Sequence, residues 1–536
     1  MVVPRYTYNN LNTKPNYNYS FPVGISYILG VLKKKGYSVD CINLNHCEGT
    51  VSKILDQKLD EKKYDIVCTG SMALDYSVIE HIINISKNHT SKPKFILGGM
   101  ILTSEPFLMT NSLNFDIGVI GEGEETIIDL LETIEKNGDL KNVKGIVFRD
   151  EENKPIFTEP RKPIEDLDKI PYPDFEAIEF DKILENMSPT DSINGIMDYP
   201  RTYLIFGSRG CPFNCTFCYH GIKYRTRSND EVIKEIEYAI KRYKINSFNF
   251  NDDLFSINRE RLNDFCEKMK KLNEKIPGGL KWRCSLWVGT LDEEMLEKLK
   301  EAGCVFVALG FESYSPIVLK SMKKPITPEQ IDKAFKACMR LNMPIEGNFI
   351  FGDIAETKET AKETMDYWKE NCQGQIKLFF IHPYPGSEIY DHCIKKGIIK
   401  DKLDFIKNKM HHTNIINMTN EMSDKEFKQL VREVYKLKSK YEKYVVPSKI
   451  ENIGGERYKF ELTCPFCKEK QIYKNFLIKN KNYFSFHSVC RNENCRKRFF
   501  IVSRLYKFTT NHYVGLDFLR KKYLSIRDNL LKKRLK

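Results

Sequence analysis

Gly207-Ser-Arg-Gly-Cys211-Pro-Phe-Asn-Cys215-Thr-Phe-Cys218-Tyr-His-Gly221 is the stretch on which the fold turns. Cys211, Cys215 and Cys218 stand at C-x3-C-x2-C spacing on one glycine-flanked loop. Soft thiolates this close together suit an iron–sulfur cluster, and a short loop can wrap one cube. A cube holds about four irons, so a three-cysteine set leaves one iron open to a substrate or cosubstrate. A zinc knuckle is the competing reading of the same thiols. The loop follows an apolar run, Tyr203-Leu-Ile-Phe206, which reads as a short buried strand. The thiols therefore sit at a strand's C-terminal end, where barrel enzymes build their sites.

With Phe217 as its aromatic, the C-x3-C-x-aromatic-C pattern resembles the signature of the radical S-adenosylmethionine (radical SAM) superfamily. The resemblance implies a 4Fe–4S cluster whose open iron chelates the amino and carboxylate groups of SAM. It also implies that the reduced cluster cleaves SAM to a 5′-deoxyadenosyl radical, which takes a hydrogen from substrate. Residues 200–410 alternate strand-like and helix-like segments, which suits a partial (β/α)6 barrel. Residues 245–255 run into Asp252 and Asp253, residues 305–313 end in Glu312 and Ser313, and residues 345–352 end in Gly352. By resemblance, Asp252 or Asp253 receives the SAM ammonium, and Glu312 and Ser313 meet the ribose or amino-acid part. Phe217 packs by the adenine, and the strand of Gly352 lines its far side. Plainer roles exist: either Asp could cap the next helix, and Glu312 could pair with a lysine in the barrel wall. Relatives often carry Arg near Trp287 and Pro-Gly at Ile354-Ala355, so the chain departs from the pattern there.

Residues 1–150 alternate apolar runs with amphipathic stretches, as βαβ units of a doubly wound, flavodoxin-like parallel sheet do. Strands are expected over 37–44, 64–70, 95–99 and 115–121. Their carboxyl ends carry Thr69, Gly70 and Ser71, then Gly98, Gly99 and Thr103, then Gly121, Glu122, Gly123 and Glu124. Open α/β sheets bind ligands at such ends, and glycines let backbone approach them. Residues 22–29, 96–99, 119–126 and 144–149, with the linker pattern of 166–174, resemble the cobalamin-binding domain that precedes the barrel in one radical SAM class. The resemblance implies that those strand-end residues contact cobalamin. Two departures stand out. Only Met-Val-Val precedes Pro4, where the first strand belongs, so the start looks clipped. The Asp-x-His-x-x-Gly cobalt-ligand motif is absent after that strand; His46-Cys-Glu-Gly49 matches only its second half and reads as coincidence.

Toward the C-terminus, residues 411–455 read as a helical segment. Cys464-Pro-Phe-Cys467 and Cys490-Arg-Asn-Glu-Asn-Cys495 then read as a zinc ribbon over 456–505. An auxiliary 4Fe–4S cluster is the alternative for the same four thiolates. Residues 506–536 form a basic amphipathic stretch, either docked by its apolar seam or meeting an anionic partner or surface. Of the formal charge of +13, the last 41 residues supply most, so the charge alone makes no case for nucleic-acid binding by the whole protein. No run of about 18 apolar residues occurs, so no transmembrane helix is expected. The sixteen cysteines, seven of them in two metal-like groups, point to a reducing cytoplasm rather than disulfides.

The expected domains are thus 1–150, a linker 151–199, the barrel 200–410, and the C-terminal pieces. The expected function is methylation of an unactivated carbon of a small molecule, using cobalamin and SAM, with a flavodoxin- or ferredoxin-type electron donor. Radical cyclisation or rearrangement without methyl transfer is the alternative. A zinc-ribbon nucleic-acid-binding protein is a third reading, from another class.

Overall fold

The computed structural model describes residues 1–5, 13–19, 21–189, 194–372, 374–411 and 414–512. In the N-terminal region, β1 (Val2–Val3) pairs in parallel with β2 (Ile42–Asn43). Beside them runs a sheet ordered β3 (Ile66–Gly70), β4 (Lys94–Gly98), β5 (Ile117–Val119), β6 (Ile146–Arg149) and β7 (Pro155–Phe157). The Thr69 hydroxyl donates to the Val2 carbonyl at 2.8 Å and joins β3 to β1. Helices cover both faces. Val31, Ile127 and Leu130 pack on one side with Ile96 and Val119, and Ile54, Ile79 and Ile83 pack on the other with Phe95 and Leu97.

Three boundaries differ from expectation. Residues 37–44 yield only the two-residue β2, because β1 offers only two residues to pair with. The N-terminal sheet continues past residue 150 through β7, so the linker starts after Phe157. Asn153, at φ +62, turns that hairpin, and the Asp150 carboxylate accepts from Lys154 N. The C-terminal ribbon begins before residue 456, with β17 (Lys449–Gly454) turning into β18 (Arg457–Thr463) at Gly454 and Gly455. The expected helical segment contributes the helix Asp424–Tyr441, and the basic stretch contributes Arg504–His512; its remainder lies outside the described residues.

Residues 202–380 carry a six-stranded parallel sheet in chain order: β8 (Thr202–Ile205), β11 (Ser247–Phe250), β12 (Lys281–Leu286), β13 (Cys304–Glu312), β14 (Ile345–Phe351) and β15 (Lys377–Phe380). Between β8 and β11 lies a short ladder, β9 (Ser208–Arg209) with β10 (Arg225–Thr226). Along β12 and β14 the helix-facing side chains are buried and the alternate ones half-buried, so one face is packed and the other is reached by solvent. On the open face, Glu346 accepts from Arg283 at 2.7 Å and from Lys377 at 2.8 Å.

The two edges of this sheet, β8 and β15, are not bonded to each other. The C-terminal unit reaches both, at the strands' N-terminal ends. It comprises β16 (Tyr444–Val445), β17, β18, β19 (Lys470–Leu477), β20 (Ser485–Val489) and β21 (Arg498–Val502). Near β8, Arg491 donates to Asp198 at 2.7 Å and Leu477 N donates to the Ser188 hydroxyl at 2.9 Å. Near β15, Arg498 N donates to the Gln375 side-chain oxygen at 2.7 Å, and Gln375 returns a bond to Arg498 O at 3.1 Å. No helix among the described residues is long and apolar enough to cross a membrane, and the cysteines there are all free.

Candidate active site between the two sheets

The cysteine loop springs from the C-terminal end of β8. Its neck is the β9–β10 ladder, which sets Arg209 directly opposite Arg225. Gly210 takes φ +73, and a Cβ there would press on Lys223 O at 2.8 Å, so only glycine fits this pinch. Two backbone bonds hold the far side: Thr216 N donates to Met322 O at 3.0 Å, and Ile389 N donates to Thr216 O at 3.0 Å. Cys215 is buried, while Cys211 and Cys218 are exposed. Among the described residues, the one set of three or more metal-type donors drawn within 4.8 Å of one another is in the C-terminal unit, so the loop thiols are not brought to single-ion spacing. Ligands to different irons of a cube need that wider separation, and three donors on one loop fit it. Burial pushes all three thiols up, Cys218 to about 12, so the thiolates need the charge of the iron to form.

Around the loop, β13 ends in Glu312 at φ +59, a left-handed conformation that non-glycine residues adopt at a cost. Lys324, itself largely buried, donates to the Glu312 carboxylate at 3.0 Å. Gly310 leaves the space that this pair fills, since a Cβ would collide with both partners. The negative charge of Glu312 pushes the Cys215 and Cys218 thiols up, and Lys324 pulls them down. Lys324 was missed in the sequence; its neighbour Lys323 and the absence of any motif around it hid it.

The two candidate aspartates separate. Asp252 is buried, and its carboxylate accepts from Gly207 N at 2.9 Å, tying β11 to the start of the loop. Burial pushes it up to about 7, against the pull of those amide bonds. Asp253 is exposed, and it is raised by partial burial of its carboxylate. Neither caps the following helix, whose first turn is capped by Asn258. The Ser313 hydroxyl is within bonding distance of the Thr364 hydroxyl at 3.1 Å and accepts from Ser315 N, so it faces the packed side. Gly352, at φ +102, donates its N–H to the buried Glu356 carboxylate, with Phe427 3.4 Å from where a Cβ would stand. Phe217 is half-buried against an apolar cluster shared by both sheets, including Ile101, Met322 and Ile389. Trp287, at the end of β12, meets Phe213 of the loop with ring centroids 5.5 Å apart.

The turn after β5 meets the neck of the cysteine loop. The Glu122 carboxylate accepts from Arg225 at 2.8 Å, from Arg209 at 3.0 Å and from Ile164 N at 2.8 Å, and Glu124 accepts from Arg209 at 2.5 Å. These side chains, expected to face a ligand, are turned to the neck of the cysteine loop instead. Thr69 is spent on Val2, Ser71 donates to Asp75, and Thr103 accepts from Gly121 N at 3.0 Å. The glycines divide in the same way. A Cβ on Gly70 would sit 2.9 Å from Gly98 O, and one on Gly99 would sit 2.9 Å from Ser71 N, so close backbone packing explains both. Gly121, at φ +84, has no atom within 4 Å of a Cβ, and Gly98 has only Val119 at 3.9 Å. Gly123 lies against Ile28 at 2.9 Å. The backbone at Gly98 and Gly121 is thus left open at the strand ends, where sheets of this kind take ligands. The His46 ring is held elsewhere, 2.9 Å from Glu179 and 3.1 Å from the Tyr19 hydroxyl.

The four C-terminal cysteines behave differently. Cys464 and Cys467 flank the turn from β18 to β19, and Cys490 and Cys495 flank the turn from β20 to β21. Their sulfurs all lie within 4.8 Å of one another, with Cys464 and Cys495 at 4.0 Å and Cys467 and Cys490 at 3.6 Å. Gln471 adds a bond to the Cys490 sulfur at 2.8 Å.

The radical SAM superfamily model matches residues 205–367, and the B12 binding domain model matches residues 16–131. The chain belongs to the cobalamin-dependent radical SAM family. A 4Fe–4S cluster and SAM go with its radical SAM domain, and cobalamin goes with its N-terminal domain. An uncharacterized methyltransferase of Pyrococcus horikoshii is 29% identical over 70% of this chain and 79% of its own length. The anaerobic magnesium-protoporphyrin IX monomethyl ester cyclase of Rubrivivax gelatinosus is 28% identical over 72% of this chain and 69% of its own. Among solved structures, the radical SAM methyltransferase TsrM from Kitasatospora setae aligns with a TM-score of 0.58 at 17% identity, over 71% of this chain and 75% of that one. At that identity the likeness speaks for the fold alone.

Proposed function

We propose that this cobalamin-dependent radical SAM enzyme methylates an unactivated carbon of a small-molecule substrate. The observation that carries the reading is the contact that sets the strand-end turn of the N-terminal sheet against the cluster loop, with Glu122 bonded to the two arginines at the loop's neck. The Pyrococcus horikoshii relative, named a methyltransferase, supports the same choice. When bound, the cluster and SAM supply radical chemistry, and cobalamin supplies a transferable methyl group.

In this reading, Cys211, Cys215 and Cys218 hold three irons, and the open sheet forms a partial barrel around the reaction space. Asp253 is the better placed aspartate to meet the SAM ammonium, since Asp252 is already bonded to the loop. Glu312, left with spare acceptor capacity beyond Lys324, meets the ribose or amino-acid portion, and Phe217 flanks the adenine. Backbone at Gly98 and Gly121 receives cobalamin. Trp287 and Phe213 wall off one side of the reaction space and exclude water. The C-terminal unit is a zinc ribbon: metal–sulfur bonds of about 2.3 Å give tetrahedral edges of about 3.8 Å, bracketed by the separations of 3.6 and 4.0 Å. A flavodoxin- or ferredoxin-type protein supplies the electrons.

The cyclase relative favours one second reading, radical cyclisation without methyl transfer. Anaerobic turnover with methyl-labelled SAM separates the two. Label in the product supports methylation, and an unlabelled, dehydrogenated product overturns it. Elemental analysis of the full chain should give about four irons, one cobalt and one zinc.

A further inference from the structure

Arg209 and Arg225 stand at the two ends of the cysteine loop and directly opposite each other across a two-rung ladder. Like charges so placed repel, and they do so more strongly out of water. Both are largely buried, with side-chain exposures of 18% and 4%. They are reconciled by one carboxylate from the other domain. Glu122 lies between them, accepting from Arg209 at 3.0 Å and from Arg225 at 2.8 Å, and Glu124 takes the second arm of Arg209. The Tyr27 ring covers Arg209, with the guanidinium carbon 5.3 Å from its centroid. The arginines hold Glu122 ionised, pulling its carboxyl down to about 2 against the opposing effect of burial.

Glu122 follows Gly121, the strand-end glycine with open space beside it. A ligand filling that space touches the same short loop whose next side chain closes the neck of the cluster loop. Gly210, pinched against Lys223 O, is the one residue between Arg209 and Cys211. We infer that Glu122, Arg209 and Arg225 form a latch that couples cobalamin binding in the N-terminal domain to assembly and geometry of the iron–sulfur cluster. They are positioning residues: they touch neither substrate nor reacting atoms. The inference rests on the reading that Gly98 and Gly121 border the cobalamin site.

The test uses the full chain, purified anaerobically, with the cluster either absent or reconstituted. Hydroxocobalamin is titrated into each form and its dissociation constant is read from absorbance. The wild type should bind cobalamin at least about fivefold more tightly with the cluster assembled, as coupled sites do. By reciprocity, cobalamin should raise iron retention and alter the electron paramagnetic resonance spectrum of the reduced cluster. Glu122→Gln should bring the affinity ratio to about one, with cobalamin no longer changing the spectrum. Glu124→Gln, which frees only one arm of Arg209, should leave an intermediate ratio, and it carries the test if Glu122→Gln does not fold. A wild-type ratio of one, or wild-type coupling in both variants, overturns the latch while leaving the cobalamin site standing. Failure of both wild-type forms to bind cobalamin overturns the site and the latch together.

Discussion

The thiols of Cys464, Cys467, Cys490 and Cys495 converge within 4.8 Å, whereas Cys211, Cys215 and Cys218 share one loop without converging. The first set hangs on two hairpins that pack on each other through a core of their own, with Phe460, Tyr473, Phe476 and Phe499 inside it. The second set has no core of its own. Its neck is held by carboxylates of the N-terminal domain, and its far side by backbone at Met322 and Ile389. A closed four-thiolate site leaves no position for a reactant, so a metal held there would serve the fold. The loop's shape is decided by its neighbours, which suits a site whose open iron must be aimed.

The largest effect that follows is on the ribbon. Cys490→Ser should forfeit most of the metal-binding free energy, about 10 kcal/mol or more, and leave residues 449–502 open to protease. An unchanged protease pattern with full zinc content would break the contrast. Next, Cys211→Ser should abolish bound iron while zinc stays at its wild-type level. Because Cys211 is exposed, the metal-free stability should move by no more than about 0.5 kcal/mol by denaturant titration.

Asp198→Ala sharpens the contrast at the ribbon's seat. Asp198 accepts from Arg491 and from Lys474 N, each at 2.7 Å, and losing both should cost about 2 kcal/mol. A separate effect is a pH slope. Glu356, fully buried under Gly352, is pushed up to about 8 by desolvation. A raised carboxyl keeps its proton in the folded chain while the unfolded chain loses it. This group therefore lowers stability as pH rises from its ordinary value of 4.5 toward 8. Glu356→Gln should flatten that part of the melting-temperature profile; an unaltered slope would show that Glu356 is ionised in the fold.

Both cysteine groups were legible because metal chemistry fixes spacing along a short stretch. The strand ends were legible for a similar reason: an apolar run stopping at glycine marks a turn wherever it occurs. What was not legible depends on contacts distant in sequence. Glu122 read as a cobalamin residue because it sits in a glycine-rich turn, and nothing local reveals that Arg225 claims it. Asp252 and Asp253 are indistinguishable as neighbours in the sequence, and only the Gly207 amide separates them. The early start of the ribbon was hidden because Lys449–Gly454 is exposed throughout and gives no apolar alternation to read.

The ribbon also touches both unbonded edges of the six-stranded sheet, through Asp198 and Gln375. On the ribosome, all six strands emerge before the residues that clasp them. Until Arg498 has left the exit tunnel, the segments leading into β8 and β15 lack the bonds that the C-terminal unit gives to Asp198 and Gln375. On the proposed zinc reading, metal supply during synthesis would bear on yield as well as on the finished enzyme, and a shortage would show as aggregated chains rather than as soluble protein lacking one ion.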